Sequence, residues 1–244
     1  MARVFALSDL HLSLNGEKPM DRFGAIWQRH AERMAQAWDA NVSESDTVLL
    51  GGDLSWGRNL EEASPDLRWI ADRPGRKLLL RGNHDSWWSS LAKLRRTVPG
   101  NWELLQNCAL RAGPWIVIGA RGWLDPEDPL AQASDARVFQ RELGRLDLSI
   151  ADADRRYGSD LPRLALLHYP PWLLGRQPTE VVQRLKEAAV EICIYGHLHG
   201  EDHKLAVRGL RDGIEYVFTA SDAVNFSPVE IRAPGEDAAV VEDE

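Results

Sequence analysis

The chain reads as an α/β protein in which mixed β-sheets are sandwiched between helices, and three observations point there. Short apolar runs recur along its length, amphipathic helical patterns separate several of them, and the part after Gly196 is rich in strand-like runs. Runs of four or five apolar residues are too short for surface helices and suit strands buried on both faces. Strands that alternate with helices build a layered α/β fold, whereas strand runs with no helix between them add antiparallel strands or a second sheet.

The expected strands are Arg3 to Leu7, Thr47 to Leu50, Lys77 to Leu80, Trp115 to Ile118, Leu164 to Leu167, Ile192 to Tyr195 and Tyr216 to Thr219. Phe23, Trp27, His30, Met34 and Trp38, spaced 4-3-4-4, predict an amphipathic helix facing a core. Ser64-Pro65 predicts an N-cap followed by proline at the first helical position, opening a helix through Leu67 and Ile70 that Pro74-Gly75 ends. Phe139, Leu143, Leu146, Ile150 and Ala153, spaced 4-3-4-3, predict a further helix. Because Asp-Pro and Glu-Asp-Pro steps precede it, the whole segment 121–157 is expected to be a cap or insertion beside a cleft.

At 244 residues the chain suits one large domain, expected over 1–234, with an acidic tail at 235–244 that holds Glu236, Asp237, Glu242, Asp243 and Glu244 and frays. Hydrophobic residues at 44% and charged residues at 27% are ordinary for a folded globular chain and exclude disorder. A net charge of -8 argues against a broad basic surface that tracks nucleic acid. Cys108 and Cys193 make neither a disulfide framework nor a zinc-ligand run, so a free buried thiol at Cys193 and a reducing compartment are expected. Asp9 and His11 interrupt the first apolar run before a signal-peptide core forms, and no stretch approaches the roughly 18 apolar residues of a membrane span. A cytoplasmic protein without a membrane partner is the expectation.

Chemistry enters at the ends of the apolar runs. Leu7 is followed by Ser8-Asp9-Leu10-His11, Leu50 by Gly51-Gly52-Asp53, Leu80 by Arg81-Gly82-Asn83-His84-Asp85, Leu167 by His168, and Tyr195 by Gly196-His197-Leu198-His199-Gly200. In open α/β sheets the ligand cleft lies at the carboxyl ends of the strands, so five strand ends would deliver metal-ligand side chains to one place. Singly, Asp9 could cap a turn, His168 could be a hydrogen-bonded core histidine and Gly82-Asn83 a common turn. Together and buried without a metal, they would leave desolvated polar groups at several kcal/mol each.

These five blocks, in this order, resemble the calcineurin-like metallophosphoesterase superfamily: D-x-H at Asp9-Leu10-His11, G-D at Gly52-Asp53, G-N-H-[DE] at Gly82-Asn83-His84-Asp85, the lone His168, and G-H-x-H at Gly196-His197-Leu198-His199. The resemblance spans about residues 3 to 232 and implies a calcineurin-like four-layer α/β/β/α sandwich of mixed sheets with a dimetal site at the strand ends. It implies that Asp9, His11 and His199 hold one divalent ion, that Asn83, His168 and His197 hold a second, and that Asp53 bridges them. Mixed imidazole and oxygen ligands suit Mn, Fe, Zn, Ni or Co. By the resemblance, two such ions would supply an activated water for attack on a phosphoester, with no covalent enzyme intermediate required.

By the same resemblance His84 is not a ligand; it protonates or stabilises the leaving oxygen, and Asp85 is expected to orient its ring and keep it cationic near pH 7. Arg58 and Arg81 are candidates for a second grip on phosphate. Trp56, Trp87, Trp88 and Trp172 stand within a few residues of ligands and either pack or wall the cleft, and Arg121 with Trp123 could reach over it. The Leu80-Arg81-Gly82-Asn83-His84 run is similar to the protein Ser/Thr phosphatases, but after Asp53 those enzymes carry D-R-G where this chain has Leu54-Ser55-Trp56-Gly57-Arg58. A small-molecule or nucleotide phosphodiester is therefore the expected substrate. The alternatives are a phosphomonoesterase or protein phosphatase and, with every block intact, less favourably a non-catalytic metal-binding scaffold.

Overall fold

The structure, a computed structural model, describes residues 2–232; the acidic tail at 235–244 lies outside the described residues. Eleven strands form two sheets among them. The first sheet, ordered β11-β1-β2-β3-β4, contains β1 (Val4–Leu7), β2 (Thr47–Leu50), β3 (Arg76–Leu79) and β4 (Trp102–Leu104) in parallel, with β11 (Val229–Ile231) antiparallel at the edge. The second, ordered β5-β6-β7-β8-β10-β9, holds β6 (Trp115–Ala120), β7 (Arg163–Leu167), β8 (Val190–Tyr195) and β10 (Ile214–Phe218) in parallel. β5 (Leu110–Ala112) and β9 (Gly209–Arg211) pair antiparallel at its two edges.

Both sheets are mixed, and the two-residue alternation of a strand divides their side chains among three cores. Phe5, Leu7, Val48, Leu50 and Leu79 face α1 (His30–Asn41), α2 (Leu60–Ala71) and α3 (Leu91–Thr97). Val4, Ala6, Leu49 and Leu78 face the other sheet, where Val117, Leu164, Leu166, Ile192 and Ile194 meet them. Ile118, Ala165, Leu167, Cys193 and Tyr195 face α4 (Ala133–Tyr157) and α5 (Glu180–Glu187). The order helix, sheet, sheet, helix is the α/β/β/α sandwich. Its apolar strands lack polar alternation because each is covered on both faces.

Three local expectations are corrected. The first helix begins at His30 and not at Phe23, because Met20–Phe23 and Ala25–Trp27 are separate 3-10 turns about Gly24, whose φ of 129° breaks the run, and Phe23 is 60% exposed. Helix α2 begins well before Ser64-Pro65: Asn59 is the cap, its side chain accepting from the Glu61 and Glu62 amides, and Pro65 lies inside the helix. The segment 121–157 is not a separate cap, since α4 buries Phe139, Leu143, Leu146 and Ala153 in the second sheet's outer core as the crossover from β6 to β7. Trp123, Leu124 and Asp125, before α4, line a cavity that His197 also lines. No described helix is long and apolar enough to cross a membrane.

In-register pairing brings the parallel strand ends level. Leu7 lies beside Leu50 and Leu50 beside Leu79, so the loops that follow β1, β2 and β3 leave the first sheet together. The two sheets meet at the same place. The Ser8 amide donates to Thr219 O at 2.9 Å and the Ser221 amide to Ser8 O at 3.0 Å, which ties the end of β1 to the end of β10.

Candidate metal centre

At that junction stand Asp9, His11, Asp53, Asn83, His168, His197 and His199. Four of them, Asp9, His11, Asp53 and His197, have left-handed backbones with φ between 46° and 76°. A non-glycine residue held there is strained, and the neighbouring loops hold these: the Asp9 amide donates to Gly52 O and the His11 amide to Asp53 O, both at 2.9 Å. The glycines of the motifs exist for close approach. A Cβ on Gly82 would lie 2.0 Å from Asp53 Oδ1, and one on Gly196 2.1 Å from Asp9 Oδ2.

Each carboxylate is fixed by one oxygen and presents the other inward. Asp9 Oδ2 accepts from the His197 amide at 2.8 Å, and Asp9 Oδ1, buried, has no hydrogen-bond partner among the described residues. Asp53 Oδ1 accepts from the His84 amide at 2.7 Å, while Oδ2 faces His168 Nε2 at 3.4 Å, His11 Nε2 at 3.8 Å and His84 Nε2 at 4.0 Å. His168 is held by its far nitrogen, Nδ1 lying 2.9 Å from Gly51 O, and its Nε2 lies 2.6 Å from Asn83 Oδ1. His11 and His199 approach Nε2 to Nε2 at 3.2 Å, and His11 Nδ1 is buried without a partner among the described residues.

Two imidazole lone pairs at that separation repel unless a proton or a cation lies between them, and an orphaned buried carboxylate oxygen demands a positive charge. Asp9, His11 and His199 offer donor atoms all within 4.8 Å of one another, and so do Asp9, Asp53 and His168. The residues fit a divalent metal on the chemistry of their donors and on their unpartnered atoms.

Burial and neighbouring charges polarise the site. Burial pushes His11 down to about 4 and His197 down to about 3, so both rings are neutral near pH 7, the state that ligates a metal. Burial opposes charge on His168 too, yet Asp53 and Asp9 carry it up to about 9; against the same burial, Asp222 and Asp9 carry His199 up to about 10. Burial disfavours the Asp53 carboxylate, but His168 and His11 outweigh it and hold the group well below the usual carboxylate range.

Asp85 does not orient His84. Its Oδ2 accepts from the Asp53 and Gly82 amides at 2.9 and 2.8 Å; its Oδ1 accepts from the Leu54 and Ser55 amides at 2.8 and 3.3 Å and from Trp87 Nε1 at 2.9 Å. It fastens the Asp53 loop to the Asn83 loop. Burial and the neighbouring Asp53 push its carboxyl up to about 6 against those five donors. Burial also lowers His84 below the usual imidazole range, so the expected cationic ring near pH 7 is corrected as well. His84 lies against Trp56, ring centroids 4.3 Å apart.

Arg58 turns to the surface, its Nε donating to Glu62 Oε2 at 2.9 Å. Arg81, half-buried with Nε lacking a partner among the described residues, borders a narrow cleft with Gln106, Arg121, Glu142 and Arg145. Trp87 and Trp88 are buried core, whereas Trp56 stacks on His11 at 4.8 Å. Arg121 does not reach over the centre but donates to Glu142 Oε1 at 3.1 Å.

Sequence reasoning missed four neighbours. Trp27 meets the edges of His11 and His199 at 5.8 and 5.6 Å, Tyr169 packs on His197 at 3.8 Å, and Lys18 Nζ sits 3.2 Å from the centre of the Trp56 ring. Asp222 Oδ1 lies 2.8 Å from His199 Nδ1, fixing that ring by its far nitrogen. A signal existed only for Asp222, which follows β10 in Thr219-Ala220-Ser221-Asp222 as the other acidic residues follow their strands. Lys18 comes from an irregular loop and Trp27 from a 3-10 turn, and neither belongs to a ligand motif.

The calcineurin-like phosphoesterase family profile matches residues 2–201, and the chain belongs to that family. Among curated proteins it is similar to the Gene 66 proteins of Mycobacterium phage L5, 31% identical over 46% of this chain and 54% of that one, and of Mycobacterium phage D29, 38% identical over 35% and 41%. The matches thus span about half the length of those relatives or less. Among solved structures it is similar to a phosphopantetheinyl hydrolase from Mycobacterium tuberculosis (TM-score 0.58, 14% identity, 98% of this chain and 99% of that one). The TT1561 protein of Thermus thermophilus (TM-score 0.56, 14% identity, 95% and 99%) and a protein of unknown function from Aquifex aeolicus (TM-score 0.51, 15% identity, 94% and 96%) share the fold.

Proposed function

We propose that the chain is a dinuclear metal-dependent phosphodiesterase that hydrolyses a small-molecule or nucleotide phosphodiester. The observation that carries this reading is the convergence of Asp9 Oδ1, Asp53 Oδ2 and the inward nitrogens of His11, His168 and His199, with Asp9 Oδ1 lacking any hydrogen-bond partner among the described residues. Asp9, His11 and His199 would hold one ion and Asn83, His168 and His197 the other, with Asp53 between them; Mn, Fe, Zn, Ni or Co suits the donors. Bound divalent ions supply an activated water and neutralise charge on the phosphate oxygens.

The chain's own groups do the rest. Asp222 and Gly51 O hold His199 and His168 by their Nδ1 atoms and leave each Nε2 directed at the centre. His84, beside Asp53 and outside the ligand set, presents Nε2 to the leaving oxygen and stabilises it by donating a hydrogen bond. Lys18, held over Trp56 next to His84, grips the phosphate. With Arg58 committed to Glu62, this modest cationic complement favours a singly charged diester over a doubly charged monoester. The phosphopantetheinyl hydrolase named above agrees with phosphoester chemistry on this fold.

The test is to supply the Mn-loaded chain with bis(4-nitrophenyl) phosphate and 4-nitrophenyl phosphate side by side. Faster metal-dependent release from the diester is expected; release from the monoester alone would replace this reading with a phosphomonoesterase, and release from neither, with metals bound, would favour the scaffold.

A further inference from the structure

Lys18 stands beside the metal centre on a stretch with neither helix nor strand, so its place depends on what holds that stretch. Residues 13–18 are closed by their own side chains. Ser13 Oγ accepts from the Lys18 amide at 3.0 Å and donates to Asn15 Oδ1 at 3.1 Å, and the same Asn15 oxygen accepts from the Glu17 amide at 3.2 Å. The flanks are pinned at Leu12, bridged to Ser55, and at Met20, whose Sδ lies 3.1 Å from Trp56 Nε1. Between those flanks, the backbone of the loop is held from outside by Asp66 of α2.

Asp66 is 2% exposed, and no cationic side chain pairs with it among the described residues. Its Oδ1 accepts from the Leu14 amide at 2.8 Å and its Oδ2 from the Ser55 hydroxyl at 2.5 Å. Ser55 Oγ in turn accepts from the Gly57 amide at 3.0 Å. One carboxylate therefore fixes both halves of a pair. The Leu14 half carries Lys18, and the Ser55–Gly57 half carries Trp56, the ring whose centre Lys18 Nζ approaches to 3.2 Å. That ring lies 4.3 Å from His84, and the Lys18 charge reaches the same place: burial lowers the His84 imidazole, and Lys18 acts in the same direction.

The residue type is informative. The Leu14 N–H can only donate, and Ser55, whose oxygen takes the Gly57 amide, has its proton left to donate, so both partners require an acceptor. Aspartate supplies two acceptors and asparagine one. Burying a carboxylate without a cation is unfavourable, and burial does push this carboxyl up against its two donors. A side chain that only packed here would be apolar, as Ala63, Leu67 and Ile70 are on the same face of α2.

We infer that Asp66 is a positioning residue for substrate binding: by joining the Leu14 amide to the Ser55 hydroxyl it sets Lys18 over Trp56 and so places the ammonium that grips the phosphate. This rests on the phosphoesterase reading and extends it to a side chain outside the metal centre.

The experiment is calorimetric titration of inorganic phosphate into the Mn-loaded full chain, as wild type, Lys18→Met, Asp66→Asn and the double variant. Lys18→Met is expected to weaken phosphate by about tenfold, the scale of one hydrogen bond to a charged group, and Asp66→Asn by several-fold. The double variant should bind no more weakly than Lys18→Met alone, because the second change removes an interaction already lost. Mn affinity should match wild type in Asp66→Asn, which a general loosening of the fold would not allow. If Asp66→Asn does not fold, Ser55→Ala, which deletes only the hydroxyl, takes its place with the same expected loss and the same lack of additivity. Undiminished phosphate affinity in either folded single variant, or losses that multiply in the double variant, would overturn the inference and leave the phosphoesterase reading in place. A wild-type chain that binds Mn and no phosphate would sink both.

Discussion

A methyl group added at Gly82 would lie 2.0 Å from Asp53 Oδ1 and 2.2 Å from the Asp53 amide nitrogen. Carbon and oxygen tolerate approach to roughly 3.3 Å, so in Gly82→Ala the Asp53 carboxylate must retreat by about 1 Å or the loop must move as far. Neither is cheap, because Asp53 is buried and the backbone amides of its loop donate to the Asp85 carboxylate. Overpacking of this kind costs about 1–3 kcal/mol, a fall in melting temperature of roughly 2–12 °C for a chain of this size. Displacing a catalytic group by about 1 Å lowers turnover by about 10²-fold. The assay is a thermal melt, Mn titration and diester turnover for Gly82→Ala beside Gly144→Ala. Gly144 is exposed inside α4 with nothing within 4 Å of an added Cβ, so alanine there should stabilise by about 1 kcal/mol and leave metal binding unchanged. Wild-type Mn affinity and turnover in Gly82→Ala would refute the close-packed arrangement of the two ligand loops.

Asp85→Asn replaces one of two accepting oxygens by a donor and strands at least two of the five N–H groups that converge there; at about 1–3 kcal/mol each, less what removal of a carboxylate beside Asp53 returns, a loss of about 2–4 kcal/mol should appear in denaturant melts. His84→Ala should keep its metals by elemental analysis and lose turnover by about 10²-fold or more, and near-normal turnover would remove the residue from the reaction. Lys18→Met should raise KM about tenfold with little change in kcat, whereas Arg58→Met, deleting an exposed pair with Glu62, should alter neither by more than about twofold. Burial opposes the charge of the Asp46 carboxylate, but the Arg3 and Ser43 amides that donate to it outweigh that and lower it from 3.8 to about 2. Its contribution, on the order of 2 kcal/mol, is therefore complete above about pH 4 and vanishes as pH falls from about 4 to 2. The stability gap between wild type and Asp46→Asn should close over that window.

The layered fold and the location of the candidate centre were legible because five of the parallel strands, β1, β2, β3, β7 and β8, end within a few residues in a polar ligand type, as at Leu7 before Ser8-Asp9 and Leu167 before His168. Edge strands were not, since β4, β5 and β9 are three residues each and carry no apolar run of their own. Spacing overran the start of α1 because Trp27 is buried by tertiary contact in a 3-10 turn, and periodicity records burial without separating a helix from a turn. The role of Asp85 was misread because adjacency to His84 in sequence says nothing of direction: the turn sends the two side chains apart, one to the backbone amides of the Asp53 loop and one to Trp56. Lys18 was invisible for a similar reason, being brought to the centre by the ring on which it rests.

The central claim is that Asp53 unites two metal positions into one hydrolytic centre. It is tested most directly by following bis(4-nitrophenyl) phosphate hydrolysis while Mn is titrated into metal-free wild-type chain and into Asp53→Asn. The account predicts no turnover without metal, a rate that rises until two ions are bound per chain, and a plateau lower by about 10²-fold or more in Asp53→Asn; a plateau at one ion, or an undiminished rate in Asp53→Asn, would contradict it.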